Sequence, residues 1–394
     1  MPTKLDVFLI IATNNKLTIK DINKKIPSIN NFTTYYYVKQ LEKDKFIKNI
    51  NNNYVINNTN KSKELFSLVY FCFKNNLNYN IIISKNVSKY IYSGYKNNNL
   101  NNDLFSNKTI KKYNNCLSKA GIIYIESKKP LKTRLIPSSF TDLLIKYFLN
   151  KKETIKFNYK SIDVDNKIEK EFSKFKRKQK IILSDEIKFV YTSLSLEGIT
   201  LTLPQTEKLI KKDISPNIPL YKDIQQTADY KKAIDYLIKN KINLDNILVF
   251  HKIAMNSLDY GAGEIRTQNV KIKNNPNFKT PSWKELSNLL NKFSKLLDNI
   301  LNNKQKPHKL VESAAHTHNE FQRIHPFIDG NSRTSRAIFS VLLVKFGFPL
   351  INIPVGYFDV YMKQTKMSKN RNDKEFSNLM KLIVLKNLED RNIS

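Results

Sequence analysis

The twelve residues from His325 to Arg336 constrain the fold of this 394-residue chain more than any other stretch, because they require a tight turn that opens directly into a helix. Gly330 lets the backbone turn where a side chain would hinder it. Apolar residues then recur at helical spacing until Gly347 and Pro349 end the pattern. The stretch therefore predicts a loop that enters the N-terminus of a buried helix at Asn331 or Ser332.

The first turn of that helix is predicted to bind an anion. Its N–H groups have no acceptor within the helix and, together with the helix dipole, attract negative charge. Arg333 and Arg336 are three residues apart, so both project from nearly the same face and can reach further phosphates. The backbone of Gly330, Asn331 and Ser332 together with these two arginines suits a polyphosphate.

His325 and Asp329 flank the same turn and carry chemistry. Asp329 offers a carboxylate oxygen to Mg²⁺, which nucleotide sites bind through one or two carboxylates and the phosphates themselves. A histidine such as His325 has an ordinary pKa of about 6.5, which suits a general base that removes a hydroxyl proton near neutral pH. These groups, with the anion-binding turn and the arginines, predict group transfer from a nucleoside triphosphate.

The same stretch resembles the motif of the Fic family of protein AMP-transferases, His-Pro-Phe-x-(Asp/Glu)-Gly-Asn-Gly-Arg-x-x-Arg. Ser332 stands where the family usually has Gly. If that position needs a positive φ, the serine costs on the order of 1 kcal/mol. If the position is already helical, the serine is harmless, and this is the case that we expect. The resemblance implies transfer of AMP from ATP, with Mg²⁺, to a Ser, Thr or Tyr hydroxyl of a protein, and the chain itself is a candidate acceptor.

The resemblance extends over residues 185–388 and includes the helix before the motif and a target-docking flap. In the family, a β-hairpin flap pairs its backbone with the target segment as an added strand, and residues 264–272 would do so here. We interpret His251 and His318 as packed or hydrogen-bonded helix residues, not as catalytic ones. The flap residues that match are Gly263, Arg266, Val270 and Ile272.

Upstream of the motif, Ser193, Glu197 and Gly198 match the family's inhibitory pattern, (Ser/Thr)-x-x-x-Glu-(Gly/Asn). The resemblance implies that Glu197 forms a salt bridge with Arg336 in the resting protein. The carboxylate would occupy the guanidinium that is meant for the γ-phosphate, so that ATP binds only in a non-productive pose. The chain is therefore predicted to be an autoinhibited protein adenylyltransferase.

Other functions are also compatible with these residues. Glu197 could position a water molecule for the reverse reaction, the removal of AMP from a modified protein. Metal-dependent phosphoryl transfer from other nucleotides is a weaker alternative. The chain could also be a DNA-binding regulator whose nucleotide-sensing Fic domain is catalytically weak, with Ser332 marking the lost activity.

The predicted fold class is mainly α. An all-α Fic domain with a small β-hairpin flap is expected over residues 185–394, with the inhibitory helix near 185–198. Two winged helix-turn-helix-like α+β modules are expected before it, at 1–60 and 61–147. The residues between, 148–184, read as a charged linker that is partly helical.

The winged-helix prediction depends on element order. Three short helical segments precede an Asn-rich turn at residues 51–53, and Asn tolerates the left-handed backbone of such turns. A helix, a strand, a basic turn at 128–132 and a returning strand repeat part of the pattern between residues 108 and 136. A helical protein–protein adaptor is the alternative.

The charge of the chain points to a polyanionic partner. The net charge is +33, and residues 1–180 carry 35 basic against 13 acidic side chains. Low-GC codon bias also raises the Lys content, so the distribution matters more than the total. DNA is the expected partner of the first half, and a homodimer is left open.

The cellular location follows from two weaker observations. The apolar run at residues 7–12 is too short to span a membrane, so we expect a core helix there and no membrane association. Cys72 and Cys116 cannot form a disulfide framework. A reducing, cytoplasmic location is expected.

Overall fold

The chain divides into two compact units, Met1–Phe157 and Asn158–Ser394, and the division falls inside the segment predicted to be a linker. The computed structural model describes residues 2–14, 16–95, 99–152, 163–176, 181–212, 221–258, 261–272, 275, 278–365 and 371–393.

The first unit combines short helices with two β-hairpins. Helix α3 begins where the Asn30 side chain accepts a hydrogen bond from the Thr33 amide, an N-cap that satisfies one of the orphan donors of the first turn. The apolar run at residues 7–12, which was predicted to be a core helix, lies in α1, where Val7, Phe8, Leu9 and Ile11 are buried. The elements are α1 (Lys4–Thr13), α2 (Ile19–Lys25), α3 (Asn31–Lys43), β1 (Ile47–Ile50), β2 (Asn53–Ile56), α4 (Asn60–Lys74), α5 (Tyr79–Ile82), α6 (Lys85–Ser93), α7 (Asn107–Lys119), β3 (Ile123–Lys128), β4 (Leu131–Leu135) and α8 (Ser139–Leu149).

Both hairpins are antiparallel and lie near the predicted positions. In the first, Ile47 pairs with Ile56, and the turn contains Asn51 and Asn52 with positive φ, as expected for an Asn-rich turn. In the second, β3 pairs with β4 and an irregularity separates Ile125 from Ser127. A single residue also forms an antiparallel bridge to the second strand of each hairpin, Leu17 to Tyr54 in the first and Asn99 to Arg134 in the second. This shared detail supports the proposed relation between the two modules, which remains a prediction.

The second unit is built from helices. Pro307 at the start of α15 suits a first turn, where its missing N–H is not needed, and Asn243 caps α13 through the Asn246 amide. Two short 3-10 helices, Trp283–Glu285 and Val355–Tyr357, precede α14 and α17. The α-helices are α9 (Val164–Lys176), α10 (Leu183–Ser195), α11 (Leu203–Lys212), α12 (Tyr221–Lys239), α13 (Leu244–Met255), α14 (Leu286–Asn302), α15 (Pro307–Ile324), α16 (Asn331–Lys345), α17 (Phe358–Thr365) and α18 (Asp373–Ile393).

Helices α15, α16 and α18 form the centre of this unit. α15 packs against both of the others, and twelve residues of α16 are buried. Burial on all sides explains why α16 carries apolar residues around most of its circumference instead of on a single stripe. The helix that follows the loop at His325 therefore has a fixed position in the core.

Helix α9 differs from the predicted linker. Its apolar residues Ile168, Phe172 and Phe175 recur at spacings of four and three, so they share one face. Ile168 and Phe175 are buried, and the Phe172 ring stacks on Phe348 with 4.2 Å between the ring centroids. The charged residues occupy the other faces, which is why the segment reads as solvated. Residues 164–176 therefore belong to the packed second unit, with α9 against α18 and α15.

The fold class is mainly α, as predicted. Within the described parts of the chain, both hairpins belong to the first unit, and residues 264–272 form neither a helix nor a strand. None of the helices in the described ranges is both long enough and apolar enough to cross a bilayer. Cys72 is buried, Cys116 is half-buried, and both are free thiols.

Candidate active site

The loop between α15 and α16 is closed by the side chain of Asn331. Its amide oxygen accepts from the Phe327 N–H at 3.0 Å, and its amide nitrogen donates to the Phe327 carbonyl at 2.9 Å. Gly330 is the N-cap of α16 and has a φ of 79°, a conformation that favours glycine. The first turn of α16 thus begins at a fixed point, and its leading amides have no acceptor within the helix.

Ser332 is the second residue of α16 and has no positive φ. A serine there has the ordinary helical backbone, so no left-handed strain arises. Its carbonyl accepts a hydrogen bond from the Ser335 hydroxyl at 3.0 Å. The expectation that serine is harmless to the backbone at this position is therefore confirmed.

His251 on α13 contacts the loop between α15 and α16 through a hydrogen bond and a ring stack. Its Nδ1 accepts from the Gly263 N–H at 2.9 Å, so the proton of the neutral ring is on Nε2, which donates to the Asp329 carbonyl at 2.9 Å. The ring stacks on Phe327 with 3.5 Å between centroids. His251 is therefore a buried, hydrogen-bonded helix residue, as we interpreted it from the sequence.

His325 ends α15 with a left-handed backbone, φ 51°. Arg266 holds this conformation, because its Nε donates to the His325 carbonyl at 2.8 Å and its backbone N–H donates to the Pro326 carbonyl at 2.9 Å. The His325 Nδ1 lies 3.4 Å from the Gln322 carbonyl, which places the proton on Nδ1 and leaves Nε2 as the acceptor. Burial lowers the pKa of His325 to about 4, and the charge of Arg266 adds to this effect.

The lowered pKa matters for the role of His325. The ring is neutral throughout the neutral pH range, so Nε2 is available to accept a proton. The driving force for accepting it is smaller than for an ordinary histidine, whose pKa was assumed from the sequence. His325 Nε2 is therefore unprotonated at neutral pH.

Asp329 and Arg333 form an ion pair beside the loop. Arg333 Nη2 lies 3.1 Å from Asp329 Oδ2, and the Gly330 N–H donates to Asp329 Oδ1 at 2.6 Å. The Asp329 side chain is exposed, whereas that of Arg333 is buried. Arg333 folds back one helical turn toward Asp329, and so it does not line the pocket as predicted from its spacing to Arg336.

Arg336 is engaged by the end of α10. Its Nη2 donates to Glu197 Oε1 at 2.5 Å and to the Ser193 carbonyl at 3.0 Å, and its Nε donates to the Ser193 hydroxyl at 2.8 Å. Burial alone would lower the pKa of Arg336, but the charge of Glu197 raises it above the ordinary value. The predicted Glu197–Arg336 salt bridge is therefore present, and Gly198 follows it with a φ of 89°.

The predicted flap residues have two different roles. Gly263 binds the His251 ring, and Arg266 binds the backbone of His325. Arg266 also donates to the carbonyls of Gln268 and Pro281, so its guanidinium is bound by groups of the protein itself. Val270 and Ile272 line the pocket. This segment forms no β-ladder within the described residues; instead the Thr280 hydroxyl donates to the Val270 carbonyl at 2.8 Å.

A pocket of about 420 Å³ connects these groups. Its volume falls in the range that holds a nucleotide-sized ligand. The flap forms one wall and α17 contributes Tyr361, Met362 and Thr365. The predicted site residues that line it are Glu197, Val270, Ile272, His325, Asp329, Gly330, Asn331, Ser332 and Arg336.

Sequence reasoning missed two tyrosines behind the site. Tyr230 on α12 is fully buried, and its hydroxyl donates to the Arg333 carbonyl at 3.1 Å. Tyr361 on α17 is buried beside Arg336, and its hydroxyl lies 2.8 Å from His318 Nε2. A buried tyrosine needs a partner for its hydroxyl, but the partner is far away in the sequence, so no local pattern identifies it.

The donor set fits Mg²⁺ only in combination with phosphates. No group of three or more His, Cys, Asp or Glu side chains that could hold a metal alone occurs in the described part of the chain. The exposed Asp329 carboxylate at the pocket wall supplies one hard oxygen ligand. Mg²⁺ binds through one or two carboxylates and substrate phosphates in nucleotide sites, and Asp329 is suited to that arrangement.

Comparison with known proteins agrees with this geometry. Residues 241–343 match the sequence model described as the Fic/DOC family. The chain is 27% identical over 193 residues to the protein adenylyltransferase Fic of Drosophila persimilis, and 28% identical over the same length to that of Drosophila grimshawi. Each match covers 48% of this chain, but only 37% and 39% of those proteins, respectively. The chain thus spans under two fifths of the curated relatives it matches.

Solved structures show the same fold. A Fic domain containing signaling protein from Bacteroides thetaiotaomicron aligns with a TM-score of 0.50 and 21% identity, over 57% of this chain and 95% of that one. Fic-1 from C. elegans aligns with a TM-score of 0.50 and 20% identity, over 58% of this chain and 72% of that one. The chain contains a Fic domain, and its helical second unit carries the site described above.

Proposed function

We propose that this chain is an autoinhibited protein adenylyltransferase, which moves AMP from ATP to a Ser, Thr or Tyr hydroxyl of a protein, the chain itself included. The observation that carries the proposal is the shared pocket, since His325, Asp329, the first turn of α16 and Arg336 all line it. The curated relatives named protein adenylyltransferase Fic support the reaction class. ATP-dependent chemistry and two free thiols agree with a cytoplasmic location.

In the proposed reaction, the acceptor oxygen forms a bond to the α-phosphorus of ATP. The bond between that phosphorus and the oxygen bridging to the β-phosphate breaks, and pyrophosphate leaves with the electron pair. His325 Nε2 takes the proton of the acceptor hydroxyl, while Nδ1–H faces the Gln322 carbonyl and fixes the ring. The amides of the first turn of α16 and Arg336 bind the phosphates.

Asp329 would hold Mg²⁺ together with the phosphates. When bound, the ion neutralises phosphate charge and orients the triphosphate. Asp329 would have to exchange its contact with Arg333 for the ion, and the exposure of its carboxylate makes this exchange accessible.

Autoinhibition follows from the contacts of Arg336. With Glu197 at 2.5 Å, the guanidinium is already neutralised before a nucleotide arrives. A γ-phosphate must displace that carboxylate, and displacing a partly buried ion pair costs several kcal/mol unless a new partner replaces it. ATP would then bind without its γ-phosphate seated, in a pose that is not aligned for attack.

Incubation with labelled ATP and Mg²⁺ tests this proposal. The Glu197→Gly variant should label itself or an added protein at least tenfold faster than the unchanged chain, since each 1.4 kcal/mol of barrier is about tenfold in rate. Adding Arg336→Ala to that variant should lower the rate again, because the phosphate contact is lost. If Glu197→Gly gains no transfer and instead loses an AMP-removing activity of the unchanged chain, the reverse reaction is the function.

The first unit is the proposed DNA-binding part. It carries 27 basic against 9 acidic side chains, a net charge of +18 over 157 residues. Its helix α3 exposes Phe32, Tyr35 and Tyr36, and Lys39 lies over the Tyr35 ring. A helix with exposed aromatic and basic residues, followed directly by a hairpin, has the surface and the charge to contact DNA.

Binding of the full chain to duplex DNA at several salt concentrations tests this part. Lys39→Ala should weaken binding about threefold and reduce the salt slope by about one. Lys211→Ala is the matched control. Lys211 is a helical lysine of the second unit with a similar exposure to Lys39, and it pairs with Glu207 as Lys39 pairs with Glu42. No binding by the folded chain at low salt would favour a protein–protein adaptor instead.

A further inference from the structure

Ser193 contacts Arg336 independently of Glu197. Its hydroxyl and its carbonyl each accept one hydrogen bond from the guanidinium, at 2.8 Å and 3.0 Å. Ser193 lies within α10 and is 2% exposed, whereas the Glu197 side chain follows the helix end and is 27% exposed. The two residues therefore hold the same guanidinium from different environments.

The protons of this contact can be assigned. Arg336 Nε can only donate, so the Ser193 hydroxyl oxygen accepts from it. The Tyr230 hydroxyl donates its single proton to the Arg333 carbonyl at 3.1 Å. The remaining contact, 2.8 Å between the Ser193 and Tyr230 hydroxyls, must then use the Ser193 proton. One directed chain runs from Arg336 through Ser193 and Tyr230 to the backbone of Arg333.

This chain joins three helices, because Ser193 is on α10, Tyr230 on α12, and both arginines on α16. Every side chain in it is buried. Burial raises the pKa of Tyr230 to about 12, so its hydroxyl stays protonated and the direction of the chain is fixed at neutral pH. A buried, fully paired network of this kind specifies one geometry for the groups it contains.

The turn with Glu197 is built differently. The Glu197 and Gly198 amides donate to the Leu194 and Ser195 carbonyls, which completes a local turn. A Cβ at Gly198 would meet nothing within 4 Å, so there is open space beside the turn. Glu197 can therefore leave Arg336 through a local change, whereas Ser193 can leave it only if α10 itself moves.

We propose that Ser193 and Tyr230 are positioning residues that aim Arg336 at the nucleotide, and that Ser193 is not part of the inhibition. This assignment rests on the proposed function, in which Arg336 binds the γ-phosphate. It replaces the expectation from the sequence that Ser193 is an inhibitory residue. In the active state, Glu197 withdraws and the guanidinium stays in place on Ser193.

The test is nucleotide binding by calorimetry with Mg²⁺, comparing ATP with AMP in the Glu197→Gly background. Ser193→Ala should weaken ATP binding about tenfold, the size expected for losing a hydrogen bond to a charged group. AMP has no γ-phosphate, so its affinity should change less than twofold. Tyr230→Phe removes only the hydroxyl and should weaken ATP binding about threefold. Ser193→Thr keeps a hydroxyl at position 193, so its ATP affinity should be close to that of the chain with Ser193.

Two kinds of outcome would contradict the positioning role of Ser193. If Ser193 inhibits, Ser193→Ala alone, with Glu197 present, should tighten ATP binding or accelerate AMP transfer, and either outcome would overturn the assignment. Equal losses for ATP and AMP would also overturn it, since they would indicate general damage to the pocket. A Glu197→Gly variant that binds ATP without transferring AMP would refute the proposed reaction. The role of Ser193 would still be decided by the binding measurements, because they do not depend on transfer.

Discussion

The two ends of the pocket differ in how their reactive groups are engaged. At one end, His325 is fixed through its backbone by Arg266 and through Nδ1 by Gln322, and its Nε2 has no hydrogen-bond partner among the residues that the structure describes. At the other end, the Arg336 guanidinium is already bound by Ser193 and Glu197. The proposed base therefore has a free acceptor nitrogen, whereas the proposed phosphate-binding group already has partners.

Under the proposed function, this difference locates control at the Arg336 end. Nothing in the described structure would have to change for His325 to accept a proton, but Glu197 would have to move before a γ-phosphate could contact Arg336. A change of one contact can then alter the rate by orders of magnitude while the chemical groups remain in place. The comparison predicts that substitutions at the two ends have distinct signatures in binding and in rate.

The largest expected effect is at the base. In the Glu197→Gly background, His325→Ala should lower the rate of AMP transfer by about 10²–10⁴-fold, the range for a general base. Its affinity for ATP should change less than threefold, because the ring acts on the acceptor and not on the phosphates. Single-turnover labelling measures the rate, and calorimetry measures the affinity.

Asp329→Ala in the same background is the matched comparison. It should lose both activity and the dependence of ATP binding on Mg²⁺, since Asp329 is the proposed metal ligand. A His325→Ala variant that retains full turnover would remove this residue from the mechanism. Equal losses of ATP affinity in both variants would show that His325 and Asp329 do not have the separate roles proposed here.

The sequence predicted the local parts of the site and, through the family resemblance, one long-range pair. The turn at Gly330, the helix after it and the position of His325 follow from twelve consecutive residues, and the Glu197–Arg336 pair follows from the family resemblance. The roles of Arg266, Arg333 and Tyr230 did not follow. Tyr230 and the carbonyl it binds are 103 residues apart, and such pairs depend on packing of distant helices.

Helix α9 shows a different limit. The spacing of Ile168, Phe172 and Phe175 was visible in the sequence, but dense charge around them favoured a solvated linker. Lys381, which is buried on α18, pairs with Asp165 at 2.7 Å, so part of that charge is used inside the unit. Charge density alone therefore does not distinguish a linker from a helix whose polar faces are paired.

A smaller effect is expected at Gly330, between the two ends. A Cβ there would lie 2.8 Å from both His251 Nε2 and Met255 Sδ, and the φ is 79°. Gly330→Ala should lower the free energy of unfolding by about 2–4 kcal/mol, from backbone strain and overpacking together. Chemical denaturation followed by fluorescence of Trp283, the one tryptophan of the chain, reports on the second unit.

Gly198→Ala is the control for backbone strain. Gly198 has a similar φ of 89° but open space around its Cβ position, so the cost should be about 1–2 kcal/mol. If the two variants are equally destabilised, His251 and Met255 do not restrict a side chain at position 330. The loop between α15 and α16 could then shift to accommodate the added methyl group, and His325 would be held less firmly than the hydrogen bonds of the loop suggest.

The smallest effect concerns His318, which supports the occupied end. Its Nδ1 lies 3.2 Å from the Asn319 amide oxygen, and that amide donates to Asp373, so Nδ1 carries the proton and Nε2 accepts from Tyr361 beside Arg336. Burial lowers the pKa of His318 to about 3, so the folded state keeps the ring neutral. Below about pH 6.5, the approximate pKa of histidine in the unfolded chain, the unfolded chain binds a proton that the folded chain does not. The free energy of unfolding therefore decreases as the pH is lowered. Between pH 6.5 and 5.5 this residue should remove about 1 kcal/mol from the free energy of unfolding, measured by Trp283 fluorescence. His318→Gln, which cannot titrate, should show a correspondingly smaller loss over the same interval, whatever its stability at pH 7. An unchanged loss would mean that His318 is protonated in the folded state, and that the support behind Arg336 carries a charge.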